Sequence, residues 1–543
     1  MSYSGVRPGS TEDLMYGGGV HPATGDANNP FRQDMQVLYM QRNWGVMDLV
    51  SNGNEFLREY CRKTGVRPVN QDTGQGFPPD TLVYTGGWFS RRPIIRQEPQ
   101  EPVDAWYSRI DLSVLSPYTV RLIDNAASLI LRRAIKIEGN GYWEVFAEDV
   151  DGWGSSINEF ARRVLRSALT YGHSGILVDY PPLVPGVRTM ADERMLGNRR
   201  PYFVGVSAPH ILGWRQAAPY PTAPMTQLRL YETTTVPDGD YGQVSVEQAR
   251  VITPDRYETY RRTSNAVDGD RVPAQSGQNQ LGQIPFVPLY TNRTGFLTSM
   301  PPLVDVAELN LTHYQAQADH LHAMHVAAQQ KLVLEGFNED SAISGVNYAI
   351  NMDPGSKAYV IQADSSSFSE KRELLLNLEN QMSTLGVTKL LGQKFVAESA
   401  DAKRVDQAQA NSVMAIISLE LQSVLNQTFA LAASYLNITP PRVQIDRDFD
   451  FYRLLGQDAG VLSNMLKEGQ MTPEMFVQTM RQGEWYSDTA DAEREVAFIR
   501  ENMVTKKEEM EQEQEQAKMQ AERLSSAMQR PNSAQPAQPK DGN

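Results

Sequence analysis

The chain has 543 residues, with 51 Lys and Arg against 65 Asp and Glu, for a formal net charge of −14. Hydrophobic residues at 41% and charged residues at 21% exclude wholesale disorder, and at ~150 residues per domain the length suggests about three or four structural units. A single cysteine, Cys61, excludes an internal disulfide framework and fits a reducing compartment, and the lack of any run of ~18 apolar residues excludes a bilayer-spanning helix.

Residues 1–35 are rich in Gly, Asn and Pro and read as a flexible or neighbour-embracing arm. The opening MSYSGVRPGSTED has no apolar core of the kind a secretory leader needs. A helical pattern covers 36–60. Residues 64–104 are dense in Pro and Gly, with Trp88 and Phe89 among them, and suggest loops with short strands. Ser116 and Pro117 suit an N-cap and a first helical position, and Val120, Ile123, Ala127 and Ile130 follow at helical spacing. The next helix is the clearest. Ser156 and Glu159 have capping-box spacing. Ile157, Phe160, Ala161, Val164, Leu165, Ala168 and Leu169 share one face, and Arg162, Arg163 and Arg166 share the other. Gly172 is placed to stop it. A buried strand over 176–180 ends at Pro181 and Pro182.

Residues 200–295 are β-rich, with strands expected at 202–206, 227–235, 250–262 and 284–290 and a polar loop at 265–282. A helix over 303–330 carries a narrow apolar stripe of Leu303, Val306, Ala307, Leu311, Tyr314, Ala318 and Leu321. A short β excursion is expected at 331–334 and 358–361, a helix at 369–385, and a loop at 386–400 containing Lys389, Gly392 and Lys394. No Pro or Gly falls between 401 and 436, where an unbroken helix would be about 50 Å long. A strand over 442–445 follows. Thr472, Pro473 and Glu474 open a helix with N-cap and N1 residues in order. The last helix, about 491–528, is charged nearly all round, with a weak heptad seam at Met503, Met510, Ala517 and Leu524, and implies neighbours in an assembly. Residues 530–543 are a Pro-, Gln- and Ser-rich tail.

Three motifs mimic chemistry. Gly172-His173-Ser174-Gly175 resembles the nucleophile elbow G-x-S-x-G, but the second glycine is one place early, and a helix precedes where the elbow needs a strand. The plainer reading is a helix C-cap leading into a strand. His313, His320, His322 and His325 cluster on one helix without an i, i+4 pair; His322 and His325, with Asp319 near, could form a weak metal site, against the plainer reading of polar contacts along a helix face. Gly355-Ser356-Lys357 inverts the phosphate-loop order. No catalytic residue, metal ligand or cofactor is therefore expected, nor any means of hydrolysing ATP. The acidic balance leaves two readings: an ordinary soluble acidic protein, or a surface that lets DNA pass without gripping it, since DNA-gripping domains are usually basic.

The stretch 142–182, containing GWGSSINEFARRVLRSALTYGHSGILVDYPP, together with VRLIDNAASLILRRAIKIE over 120–138, resembles the tailed-bacteriophage portal proteins, and closest the subgroup long catalogued as a domain of unknown function. The resemblance covers roughly residues 45–500. The segment IPFVPLYTNRTG is similar to the portal segment that leads into the first stem helix. GQMTPEMFVQTMRQGEWYSD is similar to the start of the crown, with Gln482 standing where the subgroup joins Arg directly to Gly. The resemblance implies an α+β portal fold: an N-terminal arm (1–50), an α/β wing with a β-rich insert (51–300), a long helical stem (301–330 and 366–385), a small β-containing clip (331–365), a tunnel loop (386–400), a long kinked helix returning to the wing (401–457), a helical crown (458–528) and a disordered tail (529–543). It implies a ring oligomer of twelve at the capsid vertex of a virion, made in the bacterial host cytoplasm. Double-stranded DNA would pass through it irrespective of sequence. The partners would be the terminase large subunit, a head–tail adaptor, and the major capsid and scaffold proteins, with no membrane. Lys389, Gln393, Lys394 and Ser399 would be the tunnel-loop residues that touch DNA; Lys394 suits ordinary solvation equally well. Two other readings are another head–tail structural or scaffold protein, which the long stem–loop–stem order disfavours, and a hydrolase using Ser174 or the histidines, which the reversed element order disfavours.

Overall fold

The computed structural model describes residues 29–65, 94–98, 101–181, 199–220, 222–261, 273–328, 331–335, 357–361, 366–391, 400–446, 456–468, 470–482 and 492–528. The chain divides into two units, Met1–Arg447 and Asp448–Asn543, fewer than its length suggests.

The first unit begins with α1 (Met35–Ser51), α2 (Asn54–Gly65), α3 (Val103–Leu112), α4 (Tyr118–Ile130), β1 (Lys136–Glu138), α5 (Gly141–Glu148) and α6 (Ile157–Tyr171). Strands β2 (His173–Asp179), β3 (Tyr202–Ser207), β4 (Ile211–Gln216), β5 (Met225–Asp238), β6 (Gly242–Ile252), β7 (Arg256–Arg261), β8 (Gln275–Gln278), β9 (Phe286–Tyr290), β10 (Arg293–Gly295) and β11 (Thr298–Ser299) follow. Then come α7 (Val304–Ala328), β12 (Lys331–Glu335), β13 (Lys357–Ile361), α8 (Ser366–Leu391), α9 (Ala400–Leu436) and β14 (Arg442–Gln444). The fold is α+β. One antiparallel sheet has the order β3-β2-β9, a second is the meander β4-β5-β6-β7-β8, and β1–β14, β10–β11 and β12–β13 are two-stranded ladders.

Helix α6 forms as its periodicity demands. All seven apolar positions of its stripe are buried, and Arg162, Arg163 and Arg166 are exposed. Ser156 Oγ accepts the Glu159 N–H at 3.3 Å, and Gly172 ends the helix in the left-handed region at φ 89, where a side chain would strike the Met300 backbone. The buried face lies on the three-stranded sheet, with Val164 and Phe160 over Gly205 of β3. Central strand β2 pairs Ile176 with Gly205 on one side and with Val287 on the other. That is why it reads as a continuous apolar run rather than an alternating one. Gly175 lies under the Phe286 ring, which any side chain there would displace.

Against the sheet an aromatic cluster joins α5, α6, β3 and α9, with the Phe160 ring of α6 5.9 Å from that of Phe203. Trp143 of α5 meets Phe429 of α9 edge-on at 5.5 Å, and Phe203 of β3 meets Phe146 and Phe429 at 5.2 Å each. Such pairs add about 0.5–1.5 kcal/mol beyond burial. The indole N–H of Trp143 donates to the Thr439 carbonyl at 2.9 Å. A second core of Leu57, Cys61, Trp106, Ile110, Tyr314 and Ala318 packs α2 and α3 onto α7, and burial pushes the Cys61 thiol up to about 12. At the end of α1, Asp48 is buried and accepts the Tyr171 hydroxyl at 2.6 Å. Burial raises its carboxyl to about 7, outweighing that hydrogen bond.

Several boundaries differ from the sequence reading. Helix α4 starts at Tyr118, not Pro117, because the Ser116 carbonyl is taken by the Tyr118 N–H and by Asn310 Nδ2, each at 2.9 Å. The single strand expected at 250–262 is the end of β6 and the whole of β7, folded back at Thr253, whose N–H donates to the Arg256 carbonyl at 2.8 Å. Part of the expected polar loop at 265–282 is β8, paired with β7. Helix α8 runs six residues past the expected end at 385, so 386–391 is helical rather than loop. The arm expected over 1–35 is already anchored at its end. Phe31 packs on Leu212 and Ala249, and the Asp34 carboxylate accepts the Trp214 N–H at 2.9 Å and Arg229 at 2.6 Å. Residues 1–28 and 66–93, and the tail 529–543, lie outside the described residues.

The second unit contains α10 (Gly456–Lys467), α11 (Pro473–Gln482) and α12 (Ala492–Met528). Thr472 Oγ1 accepts the Met475 N–H at 3.3 Å, so the expected cap forms. Leu466, Phe476, Val477 and Met480 form its core, with Val496 and Ile499 of α12 packed against them. Leu524, in the heptad seam, is exposed.

Candidate functional site: the α7–α8 helical hairpin

Helices α7 and α8 have 25 and 26 residues, about 38 Å each. They pack antiparallel: His313 faces Glu379 near mid-helix, and His320 faces Phe368 in the first turn of α8. Between them β12 and β13 form a five-pair antiparallel ladder from Lys331↔Ile361 to Glu335↔Lys357. Helix α9 packs beside α8 and is a single helix of 37 residues.

One face of α7 is committed to its own chain. Tyr314 and Ala318 enter the second core. Asn310, fully buried, donates to the Ser116 carbonyl at 2.9 Å and accepts the Thr119 hydroxyl at 3.2 Å. His313 Nε2 lies 3.2 Å from Glu379 Oε1. Tyr118 of α4 also meets Glu379, and burial, then the Glu379 charge, raises its phenol above the ordinary value.

Elsewhere the hairpin and α9 carry apolar side chains that the described residues leave partly or largely exposed. Helix α8 buries Leu378 and Met382 but leaves Leu374 and Leu376 half exposed, at 50% and 49%, with Leu385 exposed beyond them. Helix α9 leaves Ile416 and Leu419 exposed, and α7 leaves Met324 exposed. Apolar side chains therefore point several ways around these helices, unlike α6. An isolated helix in water has no use for such an arrangement.

The expected DNA-contact residues are placed only in part. Lys389 is in the last turn of α8; Gln393, Lys394 and Ser399 lie outside the described residues. The four histidines do not converge. His313 is turned to Glu379 and His320 to Phe368, while Asp319 pairs with Arg109 at 3.4 Å. Among the described residues no group of three or more His, Cys, Asp or Glu is placed to hold a metal. Glu379, Leu374 and Leu376 were not singled out in the sequence; the signal available was an apolar pattern in 366–391 that keeps to no single face.

The Gly172-His173-Ser174-Gly175 motif is a helix C-cap entering a strand. The Ser174 hydroxyl is buried and donates to the Val164 carbonyl at 2.9 Å. His173 is turned to Ser299, with Nδ1 2.6 Å from its Oγ, and burial lowers the imidazole to about 4. The two side chains are neighbours in a strand and point to opposite faces, so the histidine does not activate the serine. At the far end of β2 a cavity of about 290 Å³ is bordered by Asp179, Tyr180, Arg250, Tyr257 and Tyr435. Two of its charges are matched to each other: Arg250 donates to both Asp179 oxygens at 2.8 and 2.9 Å, and Tyr202 adds a third bond at 2.8 Å. Burial would raise the Asp179 carboxyl, but Arg250 and these bonds together hold it below the ordinary value.

No curated protein matches the chain. Among solved structures it is similar to a chain in the virion of a native gene transfer agent particle, at 10% identity and a TM-score of 0.33, covering 66% of this chain and 86% of that one. It is similar to one in the neck of the empty particle computed with C6 symmetry, at 11% identity and 0.34, covering 64% and 85%. A third lies in the neck of the native particle computed with C12 symmetry, at 10% identity and 0.33, covering 71% and 90%. A family model described as "Domain of unknown function (DUF4055)" matches residues 302–436, narrower than the 45–500 span of the portal resemblance, and those residues take in α7, the β12–β13 ladder, α8 and α9.

Proposed function

We propose that this chain is a structural subunit of a phage-type head and neck, and specifically a portal: one copy in a ring, twelve in the full assembly, through which double-stranded DNA enters and leaves the capsid. The observation that carries this reading is the α7–α8 hairpin with α9. One face is fixed to the chain's own core, and on the others apolar side chains are left half exposed or more by the described residues. Helices with this distribution bury their remaining surface against sister copies. A net charge of −14 per copy makes such a ring strongly negative, so DNA slides past rather than sticking. The ladder at the hairpin tip would meet the terminase and later the tail adaptor, and the body would meet the capsid and scaffold proteins. The role is mechanical rather than catalytic, and the location is the virion.

Native mass spectrometry and negative-stain microscopy of the purified chain test the proposal. The expected result is closed rings with a central hole and a mass of about twelve chains. A single-chain mass at micromolar concentration overturns it.

A further inference from the structure

The β5–β6 hairpin outruns its sheet. β4 covers β5 only from Met225 to Leu230, and β7 covers β6 only from Gln248 to Ile252. Beyond those points six further pairs, Thr233↔Glu247 to Asp238↔Gly242, bond to each other and to no other described strand. At about 3.4 Å per residue this arm projects roughly 20 Å. A two-stranded ribbon that no further described strand joins is marginal in water and is a template for association. Its end is built for contact. Residues 237–245 are all exposed, Tyr241 is fully exposed at the turn, and Asp238 and Asp240 flank it.

The same unit carries a surface of opposite sign. On the outer side of α4 and α6, Arg121, Arg162, Arg163 and Arg166 are exposed. Arg166 reaches Asp124 at 2.8 Å and Arg162 reaches Ser128 at 3.0 Å, which lays the guanidiniums along the groove between the two helices. Asp151, partner of Arg163, is buried. With Asp124 half-buried beside Arg166 and Glu159 exposed, the acids of this ridge number three against four arginines, in a chain whose overall charge is negative.

We infer that the β5–β6 arm of one copy docks by its Asp238–Tyr241 tip on the Arg162–Arg166 ridge of the adjacent copy. Charge complementarity selects this occupant: an acidic arm repels nucleic acid and the acidic remainder of a sister chain but meets a basic ridge, where guanidiniums pair with carboxylates and stack on a tyrosine ring. The arm and the ridge are different patches, so the contact is head-to-tail, the kind that closes a ring. The inference rests on the ring reading above and adds which surfaces meet.

The test uses the full chain in four forms: wild type, Asp238→Lys with Asp240→Lys, Arg162→Glu with Arg166→Glu, and all four changes together. Native mass spectrometry reads the assembled fraction, and circular dichroism checks the fold. Each double reversal is expected to lower the assembled fraction at least tenfold, and the fourfold variant to recover most of it. Wild-type rings with unaffected double variants, or a fourfold variant that stays dispersed, overturn the arm–ridge contact and leave the ring standing. A wild type that never assembles removes both. If a reversal disturbs folding, Tyr241→Ser at the exposed turn carries the same test: loss of assembly supports the contact, and full assembly overturns it.

Discussion

Helices α6 and α8 are both long, both lie in the first unit and both carry leucines, yet they solve opposite problems. Every apolar side chain of the α6 stripe is buried, and its arginines face out. Helix α8 buries Leu378 and Met382 but holds Leu374 and Leu376 half in water. The difference teaches where each helix finds its partner. The partner of α6 is the sheet that follows it in the chain, so its pattern is complete in one copy. On the ring reading proposed above, the partner of α8 is only partly in the same chain, and a further copy completes its pattern.

The largest expected effect is on the self-sufficient side. Phe203→Ala removes the ring shared by α5, β3, α6 and α9 and is expected to cost about 3–5 kcal/mol in urea unfolding of the dispersed chain; a loss under about 1 kcal/mol would mean this core does not hold the unit together. Next is Asp48. Its carboxyl, raised to about 7, keeps in the folded state a proton that the unfolded chain gives up near pH 4. The stability this contributes is complete below about pH 4 and lost as pH rises towards 7. Asp48→Asn should therefore flatten the slope between those values and stabilise the fold at pH 8 by on the order of 1–3 kcal/mol; a pH profile identical to wild type would rule this out. Ser156→Ala, which deletes the α6 cap, is expected to cost about 1 kcal/mol, read as a drop in the thermal midpoint. Smallest in folding terms is Leu374→Gln with Leu376→Gln. Surface changes of this kind stay within about 0.5 kcal/mol, yet here they should disperse the rings. If the double variant assembles like wild type, the contrast between α6 and α8 has been misread.

Legibility in the sequence follows the same division. The α6–β2 region could be read almost to the residue, because periodicity, cap and stop glycine agree. The 400–436 helix was readable from the absence of breakers. The β7 turn was not: Thr253, Pro254 and Asp255 interrupt a β-rich run whose composition is the same on both sides, so one strand was read where two exist. Helix α3 was missed because its ten residues mix apolar and charged positions in a Pro-rich neighbourhood, and its place is set by Trp106 packing on distant α7. The helix expected to end at 385 instead passes through Gly386, which lies against Leu122 of α4, where a side chain would collide. The half-exposed leucines of α8 form no recognisable motif, and only the packing of the folded chain separates them from the buried Leu378.

Cys61 has a practical consequence. Its sulfur is sealed between α2, α3 and α7, and with its thiol held near 12 almost none is thiolate at neutral pH, the only form that alkylating reagents attack. The folded protein is thus expected to react little with maleimides. A fluorophore or spin label attached through a cysteine placed at Tyr241 or on the α6 ridge would report from that position alone, with no need to remove the natural sulfur first.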